Sequence, residues 1–346
     1  MKNFSTDKKV ILGVVIGFCL AIVGGILFIL SSGRSPGGEV GAQGIPVNTP
    51  EALEVIEEQP ESQAYFGAMW FEGNPYMFNR ELTNILFIGV DTRGEVGADE
   101  EAEYAGQADA ILLLTLDSRT RTVQMMQISR DTMVEIDVVG EAGEVMYTKE
   151  GQIALQHSYG GGERSSAFAV RRTTSRLLHG MPIHGFVTLY MDAIHTLNDE
   201  IGGVTITFPE DFTYIDPAFV EGETITLEGR QAERFVQFRD MTYRYGNDAR
   251  MTRQTIYFAA MFERLRELAG DDAETVAELY ELLEPFMVTD LRIEDIPGFI
   301  RYDYDDENVL FLPGTISREG RYAAFRVDDE VLKEMIINTF YVPIER

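Results

Sequence analysis

Asp91 and Arg93 close the string Asn84-Ile-Leu-Phe-Ile-Gly-Val-Asp-Thr-Arg93, and Asp248-Ala-Arg-Met-Thr-Arg-Gln254 sets out a second group of carboxylate, guanidinium and amide side chains. Carboxylates and arginines without a nucleotide-binding loop suit a metal-bound phosphate. A divalent ion holds the non-bridging oxygens, and fixed positive charges offset the charge on the phosphates and leaving group. Asp91 and Asp109 each stand at the end of an apolar run. They are the candidate ligands for Mg2+ (or Mn2+), an ion that takes one or two carboxylates and completes its octahedron with phosphate oxygens and water. Arg93, Arg130, Arg239, Arg250 and Arg253 are the candidate phosphate clamps, and Gln254 would add an amide contact. Asp131 and Asp248 could orient the arginines, or Asp248 could take a proton from an acceptor hydroxyl.

These residues need elements to hold them. Ile85 to Gly89 reads as a buried strand, which puts Asp91 and Arg93 at its C-terminal end, where α/β sheets bind ligands. Phe258, Met261, Phe262, Leu265 and Leu268 recur at helical spacing, leaving Arg250, Arg253 and Gln254 in the first turns beside free backbone N–H groups. Ala110 to Leu116 and Thr122 to Ile128 read as a hairpin joined by Asp117-Ser-Arg-Thr120. A helix is predicted from about Ser165 to Leu178, ending at Gly180. Val204 to Phe208 and Glu223 to Leu227 alternate as half-buried strands, and the segment carrying Gln237 and Arg239 is expected as a strand facing the site. Helices near 250–269, 273–283 and 328–340 and a strand at 309–312 complete one α/β or α+β domain with a mixed sheet.

Val10 to Leu30 is a run of 21 uncharged, mostly apolar residues, about what is needed to cross a hydrocarbon core of roughly 30 Å. Lys2, Lys8 and Lys9 precede it and only Arg34 follows closely. The positive-inside rule therefore predicts a cytoplasmic N-terminus (1–9), a signal-anchor span (10–30) and an extracytoplasmic remainder; the rival is a cleaved signal peptide. Residues 31–50 read as a flexible tether. Residues 51–80, acidic and then aromatic, are expected as an accessory helix packed on the core. Beyond residue 34 the chain keeps 25 of 29 basic and 56 of 57 acidic residues, a net charge of −31. Such a surface repels nucleic acid. The only cysteine, Cys19, falls in the span, so the exterior part has neither a disulfide nor a cysteine-bound metal. No Gly-x-x-x-x-Gly-Lys-Ser/Thr loop or dinucleotide fingerprint is present, which argues against a nucleotide. The four histidines lack zinc spacing, and Gly160-Gly-Gly162 reads as a turn.

The strings quoted above, with Gln107-Ala-Asp-Ala-Ile111, Gln127-Ile-Ser-Arg-Asp-Thr132, Tyr159-Gly-Gly161, Ile201-Gly-Gly-Val204, Leu227-Glu-Gly-Arg-Gln-Ala232, Phe238-Arg239 and Leu312-Pro-Gly-Thr315, occur in the order found in LytR-CpsA-Psr proteins. The chain resembles that family from Leu82 to Tyr341. The resemblance implies a catalytic domain over 82–341, preceded by a linker and accessory segment over 31–81. It implies a membrane-anchored phosphotransferase that moves a glycopolymer phosphate unit, teichoic acid or capsule polysaccharide, from a polyprenyl-pyrophosphate carrier to a peptidoglycan hydroxyl. Arg93, Arg130, Arg239, Arg250, Arg253 and Gln254 would bind the pyrophosphate, and Asp91 and Asp109 the metal. A pyrophosphate hydrolase on the same donor and a non-catalytic wall-binding or regulatory protein are the alternatives. Two positions depart from the pattern: Gln237 replaces one arginine of the usual Arg-x-Arg, and Gln107 stands where an arginine is common.

Overall fold

The computed structural model describes residues 67–97, 106–140, 143–238, 246–269, 273–291, 302–304, 309–320 and 322–344. Two short strands, β1 (Met69–Phe71) and β2 (Asn74–Phe78), lead into β3 (Leu82–Val90), then β4 (Ala108–Asp117), β5 (Thr122–Ile128), β6 (Met133–Val139) and β7 (Val145–Gln152). Helices α1 (Leu155–Ser158) and α2 (Glu163–Leu177) precede β8 (Gly185–Tyr190), α3 (Asp192–Glu200), β9 (Val204–Thr207), β10 (Thr224–Leu227) and α4 (Arg230–Gln237). Then come α5 (Gly246–Ala269), α6 (Ala273–Leu283), β11 (Met287–Thr289), β12 (Asp303–Tyr304), β13 (Leu310–Phe311), β14 (Gly314–Glu319), β15 (Tyr322–Val327), α7 (Asp329–Phe340) and β16 (Tyr341–Pro343).

The sheet that carries the site runs β11-β8-β3-β4-β5-β12, with β13 also on β5. It is mixed: β8 lies parallel to β3, β4 runs antiparallel between β3 and β5, and β12 and β13 join β5 in parallel. Helices cover both faces. On one, Ile85 and Phe87 meet α3, α4, α5 and α6 through Leu197, Phe235, Met261 and Leu279; on the other, Leu86 and Ile88 meet α2 and α7 through Val170, Leu332 and Ile336. This double cover is why β3 is apolar at successive positions instead of alternating. A fully buried side chain of this size contributes about 1.5–3 kcal/mol, so the sheet's centre is a rigid support for its end.

The expected hairpin is β4–β5, the strands expected at 204–208 and 223–227 are β9 and β10, which pair antiparallel, and helices α2, α5, α6 and α7 fall where helical spacing places them. Two expectations are corrected. Residues 69–78 are not helix: β1, β2 and β16 form a three-stranded sheet, in which Phe78 of β2 lies opposite Tyr341 of β16 and meets it edge to face. Gln237 ends helix α4 and is not in a strand, since Ala232, Phe235 and Val236 form a helical face buried in the core. The ribbons β6–β7 and β14–β15 were not anticipated. The expected span 10–30, the tether and residues 51–66 lie outside the described residues. Among the described residues no helix is long and apolar enough to cross a membrane.

Candidate active site

Where β3 runs out, its pairing with β4 slips. Gly89 stands opposite Ala110 but Val90 opposite Ala108, so Asp109 is the extra residue of a β-bulge. Bulges re-aim side chains and concentrate near active sites. Here Ala108 and Ile111 both stay in the core on one face, while Asp109 and Ala110 line a cavity on the other. Asp91 follows β3 directly and is pinned to the residue before β4: its N–H donates to the Gln107 carbonyl at 3.1 Å, and its Oδ1 accepts from the Gln107 N–H at 2.6 Å. The contact is tight enough to require glycine at position 106. A Cβ there would stand 2.1 Å from Thr92 Oγ1 and 2.6 Å from Val90 Cγ1.

Two arginines converge on Asp109. Arg130, just past β5, donates through Nη1 to Oδ1, and Arg250, in the first turns of α5, donates through Nη1 to Oδ2 at 2.8 Å. Arg250 is nearly fully buried, so its charge needs a partner in the interior; Asp109 is that partner. Both guanidiniums present charged donors at this end of the sheet, a type of group suited to an anion. Arg130 also donates through Nη2 to Gln107 Oε1, and Asp131 lies behind it, 3.9 Å from Nε and held by Gln152 Nε2 at 2.7 Å.

Arg93 stands on the same sheet edge but in another network. It donates to Asp192 Oδ1 at 3.0 Å and to Glu233 Oε1, and the Glu233 hydrogen bond holds its pKa above the ordinary value. Asp192 also accepts the Gly94 N–H at 2.7 Å. Neither Asp192 nor Glu233 was singled out from the sequence. The available signal was the strand β8, which parallels β3 and ends beside it, so that Asp192 opens a helix at the edge where Asp91 sits.

Arg253, expected on the phosphate, is built into the core. It donates to Phe235 O at 2.9 Å, to Tyr214 Oη at 3.2 Å and to Phe238 O, which ties α5 to the last turn of α4. Burial pushes its pKa down. It does not line the cavity. Gln254 does, with its amide 3.4 Å from Val236 O. Arg239 lies outside the described residues, as does the side chain of Asp248, whose backbone belongs to the first turn of α5.

The cavity lies at this end of the sheet, against α5. Arg250, Gln254, Tyr257, Phe258 and Met261 line it at spacings of three and four, one face of α5. Polar side chains come first along that face and apolar ones follow over the next turns, roughly 16 Å of helix in all. Ala110, Ile194, Leu197 and Gln237 form further walls, and Phe87 meets Phe258 edge to face with ring centroids 5.3 Å apart. Beyond Ala110, the run Ile111 to Leu116 packs into the core. The shape suits a ligand with an anionic head and a hydrocarbon body. For a divalent cation the residues fit in type and number: Asp91 lies opposite Gln107 and Asp109 two residues along β4, a diagonal of about 7–8 Å between Cα atoms. Among the described residues there is no group of three or more metal-binding side chains, so substrate oxygens and water would complete the coordination.

The model of the LytR_cpsA_psr family matches residues 52–335. The chain is similar to the polyisoprenyl-teichoic acid–peptidoglycan teichoic acid transferase TagU of Bacillus licheniformis, 24% identical over 219 residues, and the match spans 63% of each chain, less than two thirds of that relative's length. It is 26% identical over 293 residues to TagU of Oceanobacillus iheyensis, covering 82% of this chain and 77% of that one. Its fold is similar to that of Bacillus subtilis TagV, with a TM-score of 0.58 at 21% identity, over 75% of this chain and 97% of the other.

Proposed function

We propose, from the premise that this chain belongs to the LytR_cpsA_psr family, that it is a membrane-anchored phosphotransferase which moves a glycopolymer phosphate unit from a polyprenyl-pyrophosphate carrier to a peptidoglycan hydroxyl. One observation carries the reading: the amphipathic face of α5, with Arg250 at one end of the cavity and Tyr257, Phe258 and Met261 along it. The names of the TagU relatives support the donor and acceptor classes.

In this reading the prenyl chain lies along the apolar wall and its pyrophosphate meets the Arg130–Asp109–Arg250 cluster. Arg130 and Arg250 come fixed in orientation by Asp109, so they offset charge on the leaving phosphate without reorganising during the reaction. Asp91 and Asp109 would hold Mg2+ or Mn2+. When bound, such an ion polarises the phosphoryl oxygens and aligns the attacked phosphorus. Gln237 and Gln254 contribute amide contacts where the cavity turns apolar, and the apolar walls exclude water that would otherwise compete with the acceptor hydroxyl.

The test is turnover of a prenyl-pyrophosphate-linked saccharide by the full chain in detergent, with and without peptidoglycan. Transfer that needs the acceptor is expected. Release of the saccharide phosphate at the same rate without peptidoglycan would make the protein a hydrolase, and no turnover in either arm would leave a binding protein.

A further inference from the structure

Asp131 follows Arg130 in the chain and is 1% exposed, so its carboxylate needs partners inside the protein. Gln152, the last residue of β7, supplies one. Its Nε2 donates to Asp131 Oδ1 at 2.7 Å and to the Ala323 carbonyl of β15 at 2.8 Å. Both partners are acceptors, which sets the orientation of the amide and uses both of its N–H groups. The same oxygen of Asp131 stands 3.9 Å from Arg130 Nε, while the terminal nitrogens of Arg130 donate to Asp109 and Gln107. Backbone bonds brace this turn without fixing the carboxylate: the Ala154 N–H donates to Arg130 O at 3.2 Å, and the Phe325 N–H to Asp131 O at 2.9 Å. The Asp131 side chain is set by what donates to it.

We propose that Gln152 is a positioning residue that acts through Asp131: its amide holds that carboxylate back from the Arg130 guanidinium, so that Arg130 stays turned toward Asp109 and the pyrophosphate. This rests on the proposed function and deepens it. Arg130 stands between two carboxylates, Asp109 at the cavity and Asp131 behind it. Attraction between unit charges rises as their separation falls, so a closer Asp131 would draw the guanidinium back and offset charge that the donor needs. What position 152 must supply is a donor. Methionine keeps the length and removes the donor, whereas lysine keeps a donor and adds a charge that offsets Asp131 further. Gln152 is only partly buried, which leaves room for an ammonium group to reach water.

The experiment uses the full chain in detergent and farnesyl pyrophosphate as the probe, with affinity read by calorimetry at fixed Mg2+, at a temperature where every variant is folded, and thermal unfolding read alongside. Gln152→Met should weaken binding about tenfold, the size of one lost hydrogen bond to a charged group. Gln152→Lys should bind at least as tightly as the wild type. A lower unfolding midpoint for Gln152→Met with unchanged affinity would make Gln152 a structural tie between ribbons and overturn the proposal, as would Gln152→Lys binding as weakly as Gln152→Met. In the background of Asp131→Asn, Gln152→Met should cost little more; additive losses would show that Gln152 does not act through Asp131. A ligand-free arm uses arginine-selective 15N labelling: slow rotation of the Arg130 terminal nitrogens is expected in the wild type and in Gln152→Lys, and its loss in Gln152→Met. Identical spectra for all three would overturn the proposal without reference to any ligand. If the wild type fails to bind the probe, the proposed function falls, and the spectra alone decide the role of Gln152.

Discussion

Asp109 controls the charge at the site, because its two oxygens are the partners of Arg130 and Arg250. The side chain of Arg250 is 3% exposed, so Asp109→Asn leaves a buried cation facing an amide. Removing one partner of such a pair costs on the order of 3 kcal/mol, and urea unfolding should show that loss. Asp91→Asn should cost far less, since Asp91 is only half-buried and its strand-end pairing runs through the backbone. Both variants should lose most metal-dependent turnover. Unchanged turnover at saturating Mg2+ in both would reject the metal assignment, whatever the stabilities. Asp91, Asp109, Arg130 and Arg250 were legible in the sequence because each adjoins an apolar run or opens a helix, which fixes it at an element's end. Arg253 was misread for a geometric reason. Successive helix residues are about 100° apart, so the side of α5 packed on α4 decides which of Arg250, Arg253 and Gln254 face the cavity, and periodicity does not reveal that neighbour.

Between elements, the guanidinium of Arg253 does the work of a C-terminal cap for α4, satisfying the carbonyls of Phe235 and Phe238. Arg253→Met should cost roughly 3 kcal/mol, the loss of charge-assisted bonds to carbonyls that then lie unsatisfied. The expected signature is a lower unfolding midpoint, with donor KM unchanged at temperatures where the variant is folded; a raised KM at full stability would return Arg253 to the site. A second junction joins β3 to β8. His184 Nδ1 accepts the Asn84 N–H at 2.9 Å, and the His184 N–H donates to Asn84 O at 2.7 Å. Burial pushes the His184 pKa below its ordinary value. The folded state therefore binds the proton less well than the unfolded state, so this contribution is complete above about pH 6.5 and is lost as pH falls toward the lower folded value. Urea midpoints should drop between pH 7 and 5 in the wild type and drop less in His184→Ala. A parallel decline in the two proteins would count against this junction. Strands and helices with a clear period were legible at this scale. The Asp109 bulge was not, because β3 and β4 are buried at successive positions and carry no alternation that a one-residue slip would interrupt. The β6–β7 ribbon was missed because its outer strand is mostly exposed and so carries no burial period.

Across the whole molecule the charge opposes the proposed task. The part beyond residue 34 carries a net charge of −31, which repels anionic lipid headgroups and does not by itself bring the cavity to a lipid-borne donor. The apolar run Val10 to Leu30, read as an anchor, would do so by holding the domain near the bilayer through the tether that follows. Tethering replaces a bimolecular encounter by a local one, and gains of about 10²–10⁴-fold are ordinary when the linker can span the distance. Residues 35–346 alone should therefore turn over a long-chain donor in anionic vesicles at least about a hundredfold more slowly than the full chain at nanomolar protein. A short-chain, water-soluble donor should be used equally well by both, because the cavity and its arginines are untouched. The membrane fraction should also retain protein with Met1 or Lys2 at its N-terminus by mass spectrometry. Equal vesicle turnover by the two proteins, or a new N-terminus between Ser31 and Gly41 with soluble protein, would mean that the domain reaches its donor without an anchor and that the apolar run serves export instead.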